Sequence, residues 1–336
     1  MELSIIIVNF NTTLHLIKCI NSIIENIRNL KYEIIVTDNN STDKSIKSLP
    51  EKYKQIRFVF NDKNEGFGAG CNKGVLNASG KYFVFVNPDI TLTTDVFSKL
   101  YDFMENNVDV GVCSGVLLNS DNEATYTYNY FPGLKWEFFE AIGRGSSRKI
   151  EKLLKHPGIK SMSNEPIYPD WVVGAFMFVR SNVYKMISGF NETFFLYYED
   201  VDLQKRIKDK GYKIVVLPNI QIWHSERSSV RSFKGENLYY YHMTRSRILY
   251  YILHKNIFFM FIFRIMHISG LLFRISILGF RKTFTGKKKQ KFYQYKFMLK
   301  LFFSTKNKIK KGMYTSKFEN EDDIELIKTS NDNFWN

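Results

Sequence analysis

Two acidic clusters, each directly after an apolar run, are the residues of this chain best suited to chemistry. Asn87-Pro88-Asp89 follows Tyr82-Phe83-Val84-Phe85-Val86, and Glu199-Asp200-Val201-Asp202 follows Phe194-Phe195-Leu196-Tyr197-Tyr198. A carboxylate at the carboxyl end of a buried strand lies where an open α/β sheet places its ligand crevice. Proline holds Asn87 extended, so the side chains at 87 and 89 can project the same way. A hard divalent cation on phosphates takes one or two protein carboxylates and keeps some waters, so Asp89 can be a ligand and Asn87 a neutral one. The same tripeptide is also good turn chemistry. In the second cluster, acidic residues complement the dipole of the helix they open. Three are more than capping needs, and aromatic neighbours raise a carboxylate's pKa toward general-base range.

Weaker candidates stand beside these. His224, after Ile220-Gln221-Ile222-Trp223, can ligate a metal through a ring nitrogen or serve structure alone. Asp38 ends an apolar run in Val36-Thr37-Asp38-Asn39-Asn40-Ser41-Thr42-Asp43 and can accept from a ribose hydroxyl or a pyrimidine imide. Asp43, with Ser41 or Thr42, suits the cap of a helix starting just after it; Asp38 lies too far upstream to share that duty. Asn64-Glu65-Gly66-Phe67-Gly68-Ala69-Gly70-Cys71-Asn72-Lys73-Gly74 sets glycines ahead of a small-residue helix. Its backbone N–H groups can approach an anion, or its glycines can seat the helix tightly on a sheet. It lacks the Gly-Lys-Ser/Thr ending of a Walker loop.

Alternating elements must position these groups. Residues 3–8, 33–37, 56–60, 82–86 and 110–112 read as short apolar strands. Between them, Leu14, Ile17, Ile20, Ile23, Ile24 and Ile27 share one helical face, and helices are expected over 69–78 and 94–106. Such alternation predicts an α/β fold with a mostly parallel central sheet covered by helices. Residues 119–170 read as loops beside a cleft, 171–179 as a strand, 199–210 as a helix closed by Gly211, and 213–217 as a strand stopped by Pro218.

In this order the motifs resemble those of the inverting family 2 glycosyltransferases, which have the nucleotide-sugar-binding GT-A fold. The likeness is strongest to rhamnosyltransferase-like members acting on bacterial surface polysaccharides. Ser4-Ile5-Ile6-Ile7-Val8-Asn9-Phe10-Asn11 and Trp171-Val172-Val173-Gly174-Ala175-Phe176-Met177 complete the set, which spans about residues 3–225. The resemblance implies a nucleoside-diphosphate sugar donor, dTDP-rhamnose among the candidates, with Asn9, Asp38, Asn64, Gly66 and Asn72 at the nucleotide. It implies Mg²⁺ or Mn²⁺ on Asp89 and His224, with Asn87 a weak third ligand because the family's Asp-X-Asp motif has Asp in that place. It further implies Asp200 as catalytic base supported by Glu199 and Asp202, and Trp171, Gly174 and Ala175 bordering donor sugar or acceptor. Core packing explains Trp171 nearly as well. The Gln-X-X-Arg-Trp motif of processive synthases is missing, so one sugar per encounter is expected. Two rivals remain: a sugar nucleotidyltransferase, whose basic glycine loop should follow the first strand where Asn9-Phe10-Asn11-Thr12 stands, and a non-catalytic membrane-binding scaffold.

Composition bounds the setting. Of 336 residues, 44% are apolar, enough for one large core or a core with an appendage. Three cysteines without metal-like spacing argue against a disulfide framework and fit a reducing compartment. The amino terminus reads as a first core strand and not a signal peptide. The net charge of +15 is concentrated: residues 241–312 hold 17 Lys or Arg and no Asp or Glu, leaving 31 basic against 33 acidic residues elsewhere. Such a block seeks an anionic surface. Along 256–280 the basic positions Arg264, His267, Arg274 and Arg281 fall within about a third of a helix circumference, giving an in-plane amphipathic helix with a cationic side. Nucleic acid is the poorer partner, since no recognised module appears. The expected organisation is a catalytic domain over 1–235, a basic membrane-associating helical region over 236–312, and a loosely ordered tail over 313–336. The expected place is the cytoplasm, at the inner face of the cell membrane, with a lipid-linked saccharide as acceptor.

Overall fold

The computed structural model describes residues 1–142, 165–225, 236–279 and 287–304. The chain divides into two compact units. One comprises Met1–Phe131, Pro157–Phe195 and Glu199–Ser232; the other comprises Pro132–His156, Leu196–Tyr198 and Phe233–Asn336.

The first unit is a layered α/β structure. Its elements are β1 (Leu3–Asn9), α1 (Thr13–Asn26), β2 (Tyr32–Asp38), α2 (Leu49–Lys52), β3 (Arg57–Phe60), α3 (Phe67–Val75), β4 (Tyr82–Val86), β5 (Ile90–Thr91), α4 (Val96–Asn106), β6 (Val110–Leu118) and β7 (Tyr128–Asn129). In the second unit α5 (Leu134–Ala141) comes next; the first then resumes with β8 (Trp171–Val172), β9 (Phe176–Arg180), α6 (Ser181–Met186), α7 (Glu199–Asp209) and β10 (Lys213–His224). Eight strands form one sheet in the order β3-β2-β1-β4-β9-β6-β10-β5, with β7 and β8 paired separately. The strands β3, β2, β1 and β4 run parallel, as do β6 and β10; β9 and β5 are antiparallel to their neighbours.

Burial on both faces explains the continuous apolar strands. Along β1, Leu3, Ile5 and Ile7 enter one core layer and Ile6 and Val8 the other. Each such side chain contributes roughly 1.5–3 kcal/mol by leaving water. Helix α1 packs through Leu16, Cys19, Ile20 and Ile23, so its buried face is rotated from the expected one and Leu14 is exposed. Asp95 caps α4 by accepting from the Ser98 N–H, Asp43 accepts from the Ser45 N–H as expected, and Gly211 leaves α7 at φ +89°.

Three sequence expectations shift. Pro218 does not end β10; the strand continues to His224, with an irregular register between Leu217 and Gln221. The run 171–179 is two strands, broken at Gly174 and Ala175. The supposed loop region contains β7 and α5; residues 143–164 of it lie outside the described residues.

The second unit holds α5, α8 (Glu236–His254), α9 (Ile257–Gly279) and α10 (Lys287–Ser304). Glu137 of α5 is fully buried. It accepts from Arg247 Nε at 3.0 Å, from the Tyr251 hydroxyl, and bonds His267 Nε2 at 2.7 Å. Gly270 lets α9 close on α5, where a Cβ would run into the Ala141 carbonyl oxygen. Arg274 donates to the Glu140 and Ala141 carbonyls, satisfying the carboxyl end of α5. Leu196–Tyr198 belongs here too: the Ser246 hydroxyl donates to the Leu196 carbonyl, and the rings of Tyr198 and Tyr250 lie 5.6 Å apart.

This packing corrects the expected cationic side of α9. Of its described basic positions, His267 is buried on Glu137 and Arg274 is turned to α5 and to the Tyr295 ring of α10, while Arg264 stays partly exposed. Arg281 lies outside the described residues. The exposed side is mostly apolar, with Ser269 and Ser276 among its residues. By length and composition, α9 is the one helix among the described residues suited to cross a membrane.

Removing the Glu137 carboxylate strands a buried guanidinium, so Glu137→Ala should cost about 3–5 kcal/mol in urea unfolding. Burial pushes Glu137 up, but Arg247, His267 and Tyr251 outweigh it and hold the carboxyl below its usual value; burial pushes the His267 imidazole down. Both groups therefore bind protons more readily unfolded than folded. Stability should fall as pH drops below 6.5, the ordinary histidine value, and again through the carboxylate range below 4.5. Melting temperatures across that pH range should lose both phases in Glu137→Ala/His267→Phe.

Candidate functional site

The break between β8 and β9 is the centre of the site. The Gly174 N–H donates to Asp200 Oδ2 at 2.8 Å. The next residue, Ala175, accepts at its carbonyl from the Asn87 N–H, also at 2.8 Å. The Asn87-Pro88-Asp89 segment and the start of α7 thus meet across two consecutive residues. The pairing of Val86 with Phe176 sets this arrangement, because the end of β4 must face the start of β9. Glycine leaves room there: a Cβ would lie 3.1 Å from the Asp200 Cβ and 3.2 Å from its Oδ2, pushing the carboxylate by a few tenths of an ångström.

Asn87-Pro88-Asp89 forms a turn that carries Asp89 to the start of β5. The Ile90 N–H donates to the Asn87 carbonyl at 3.1 Å, closing the turn. Beyond it, Ile90 pairs with His224, and the Ser225 N–H donates to the Asp89 carbonyl. His224 Nε2 consequently stands 3.3 Å from Asp89 Oδ1, and Asp89 is buried. A carboxylate oxygen and an imidazole nitrogen suit Mn²⁺, and Mg²⁺ less well. No group of three or more His, Cys, Asp or Glu poised for a metal occurs among the described residues. The donor set fits a cation whose remaining ligands come from a bound phosphate and water.

The acidic cluster separates into distinct parts. Asp200 is partly exposed and accepts from the N–H groups of Gly174 and Val201. Burial raises its pKa against those two bonds. Glu199 is buried with Oε2 unbonded, and burial followed by the Asp200 charge raises its pKa well above the usual value. Asp202 is buried in an ion pair with Arg206 at 2.7 Å, and Arg206 also holds the Ile187 carbonyl. Its place is structural support. Immediately before this helix, Tyr197 and Tyr198 both adopt positive φ, 67° and 65°. Such conformations are uncommon for bulky residues and cost about 1–3 kcal/mol each.

The residues expected at a nucleotide divide as well. Asp38 is buried at the end of β2; its Oδ1 accepts from Asn9 Nδ2 and the Ser41 hydroxyl, and its Oδ2 from the Ser41 N–H. Asn9 has no exposed surface and also accepts from the Thr12 hydroxyl, so it holds Asp38 from behind instead of facing a ligand. Asn64 accepts from the Gly66 N–H. Gly66 sits at φ +97°, and a Cβ would run into the Phe195 carbonyl oxygen. The Phe67 N–H donates to that same carbonyl, tying α3 to the segment that leads toward α7. Asn72 spends its amide on the loop before α7, donating to the Phe190 carbonyl and Glu192 and accepting from the Tyr184 hydroxyl and the Phe190 N–H. For Gly70 and Gly74 the packing reading is right, because a Cβ would meet Val8 and Ile6 of β1.

Trp171 is partly exposed beside Tyr126, with ring centroids 5.9 Å apart, and its Nε1–H donates to the Tyr130 carbonyl. Sequence reasoning missed Gln204. This buried amide bonds both the N–H and carbonyl of Val172 and donates to the Asp200 carbonyl, bolting β8 to the first turn of α7. Its spacing four residues after Asp200 was the available signal. Asn39 was missed too: it donates to the Gly66 carbonyl and accepts from Asn61.

Residues 4–168 match the family model described as "Glycosyl transferase family 2". The chain is 21% identical over 226 residues to the N-acetylglucosaminyl-diphospho-decaprenol L-rhamnosyltransferase of Mycobacterium tuberculosis, covering 62% of this chain and 71% of that protein. It is 26% identical over 212 residues to the rhamnosyltransferase WbbL of Escherichia coli, covering 60% and 76% respectively. Among solved structures, GalNAc-T7 with UDP, GalNAc and Mn²⁺ superposes with a TM-score of 0.52 at 14% identity, covering 74% of this chain and 50% of that one, which speaks to the fold alone.

The glycine turn gives a direct test of the scaffold around the site. Gly66→Ala adds a methyl group where backbone already stands, at a φ that alanine resists, so it should lower stability by about 2–4 kcal/mol. Gly133→Ala, where a Cβ meets nothing within 4 Å, should change it little. Urea midpoints of the two variants make the comparison.

Proposed function

Because the chain is a glycosyltransferase of family 2, we propose that it moves one sugar from a nucleoside-diphosphate donor to a hydroxyl of a lipid-linked saccharide, with inversion at the anomeric carbon. The observation that carries this reading is the meeting of Asn87 and Asp200 on Ala175 and Gly174. The bonds bring the backbone of the Asn87-Pro88-Asp89 segment and the Asp200 carboxylate to one break in the sheet, which supports a diphosphate side and a base side of one site. Asp200 takes the proton from the acceptor hydroxyl as that oxygen attacks. The Gly174 N–H fixes the carboxylate's direction, leaving Oδ1 toward its own helix N–H and the proton to be taken. Burial and the Asp200 charge both disfavour ionisation of the neighbouring Glu199. On the donor side, Asp38 is oriented by Asn9 for the nucleotide, and Asp89 with His224 receives the diphosphate end. A divalent ion held there, Mn²⁺ or Mg²⁺, would neutralise charge on the leaving diphosphate.

Relatives named for rhamnose transfer, one of them to a decaprenol-linked sugar, support dTDP-rhamnose as the first donor to test and a polyprenyl-diphosphate saccharide as acceptor. That acceptor class would place the enzyme at the inner face of the cell membrane, in assembly of a surface polysaccharide.

Donor identity is read by thermal shift across nucleotide sugars with and without Mn²⁺, where one donor should stabilise the protein and the ion should increase the effect. Asp200→Asn should lower kcat by about 10²–10⁴ while donor binding persists; full activity in that variant would end the base assignment. Since burial raises the Asp200 pKa, kcat should fall with decreasing pH on a limb lying above the ordinary aspartate value of 3.8. Gly174→Val should lower kcat about 10²-fold with little change in donor affinity, because it turns the base without touching the nucleotide residues.

A further inference from the structure

The second unit carries a surface that the catalytic reading does not use. On α9, Ile257, Phe258, Phe261, Ile265, Leu272 and Phe273 are between 47% and 88% exposed. At about 100° per residue, all but Phe273 fall within roughly 100° of the helix circumference, and Phe273 flanks them. The opposite side, with Met260, Phe263, His267, Gly270 and Leu271, is buried. His267 and Arg274 are turned away from this stripe, onto Glu137 and onto α5 and Tyr295, while half-buried Arg264 borders it and Ser269 and Ser276 are exposed within it. Helix α10 packs beside α9, with the Phe302 ring 5.8 Å from Phe263 and 5.4 Å from His267. It exposes Lys288, Lys289, Lys291, Lys296 and Lys300.

We propose that α9 lies in the plane of an anionic lipid monolayer, inserting the stripe around Phe258, Phe261, Ile265 and Leu272 among the acyl chains while the lysines of α10 engage the headgroups. This deepens the membrane reading above and rests on it only for the kind of surface. Aromatic and branched side chains that would cost free energy in water gain it in the acyl boundary. Anionic lipid is the occupant that matches both observations: an apolar stripe alone would suit a protein partner, but the exposed lysines and the lack of any Asp or Glu across 241–312 select a negative surface. The side inserted is the apolar side that the sequence suggested; what differs is that His267 and Arg274 bind protein and a neighbouring helix supplies exposed charge.

The test is flotation of the full chain with vesicles of phosphatidylcholine, with and without phosphatidylglycerol, at low and high salt. Wild type should float with the anionic vesicles and weaken with salt. Phe261→Asp/Phe273→Asp should reduce partitioning by about tenfold or more, because burying one Phe is worth at least that factor. Lys288→Glu/Lys291→Glu/Lys296→Glu should abolish the preference for the anionic lipid. The altered side chains are exposed, so melting temperatures should stay within a few degrees, and Phe261→Leu/Phe273→Leu should bind as wild type. An environment-sensitive fluorophore on Phe261→Cys should shift to the blue on vesicle addition and become shielded from iodide; Cys19, Cys71 and Cys113 are buried and will not compete for label. Undiminished flotation of the aspartate variant, or unchanged iodide quenching, overturns the proposal. So does resistance of bound wild type to alkaline carbonate, which indicates spanning, or a dimer in vesicle-free buffer that the aspartate variant dissociates. None of these readouts requires donor or acceptor, so loss of transfer activity on a water-soluble acceptor would count against the catalytic reading and not against this surface.

Discussion

The bond from the Gly174 N–H to the Asp200 carboxylate is the constraint on which the site depends. It joins a strand break to a helix start, and a side chain at residue 174 would press on the carboxylate it holds. Around it, neighbouring bonds serve the same end. Gln204 fixes β8 to the first turn of α7, Ala175 receives the Asn87 N–H, and the Gly66–Phe195 approach anchors the loop ahead. A carboxylate held by fixed N–H groups in a partly dry site keeps its direction without being fully neutralised, which is what proton removal asks of it.

Polar residues in this protein do more positioning than contacting. Asn9, Asn39 and Asn72 are amides in or beside the motifs, yet their hydrogen bonds go to Asp38, the Gly66 carbonyl and the Phe190 loop. Buried amides of this kind fix a unique arrangement because an unpaired one is expensive. Glu137 does the same among the helices of the second unit, where three donors converge on one buried carboxylate. A buried ionic cluster adds little net stability over an apolar core, but it permits only one register. Here that register decides which side of α9 is covered.

Much of the fold was legible because periodicity is a local property. The apolar runs at β1, β2, β4 and β6 and the helix after Glu199 come from alternation between apolar segments and helical stripes, and the order of motifs was enough for the family. Three failures have physical causes. Pro218 reads as a stop, yet an irregular register lets β10 pass through it and deliver His224 beside Asp89. Leu14 shares a helical face with Ile17 on a wheel, but the sheet selects the neighbouring face through Leu16 and Cys19. In α9 the wheel separated basic from apolar positions correctly, but it could not tell that His267 and Arg274 are covered by protein.

By itself, then, the amino-acid order determined which segments are strands, where the carboxylates stand at their ends, and that one late segment carries the whole basic excess. Only the tertiary structure decided that Asn87 and Asp200 share one pair of residues, that Asp202 is taken by Arg206 while Asp200 accepts from backbone N–H groups, and that Arg274 and His267 on α9 face protein. The reason is the reach of the interactions. Helix and strand pattern is set by neighbours within a few residues, whereas a hydrogen bond across 26 residues, or an ion pair across 130, depends on packing that no local pattern encodes.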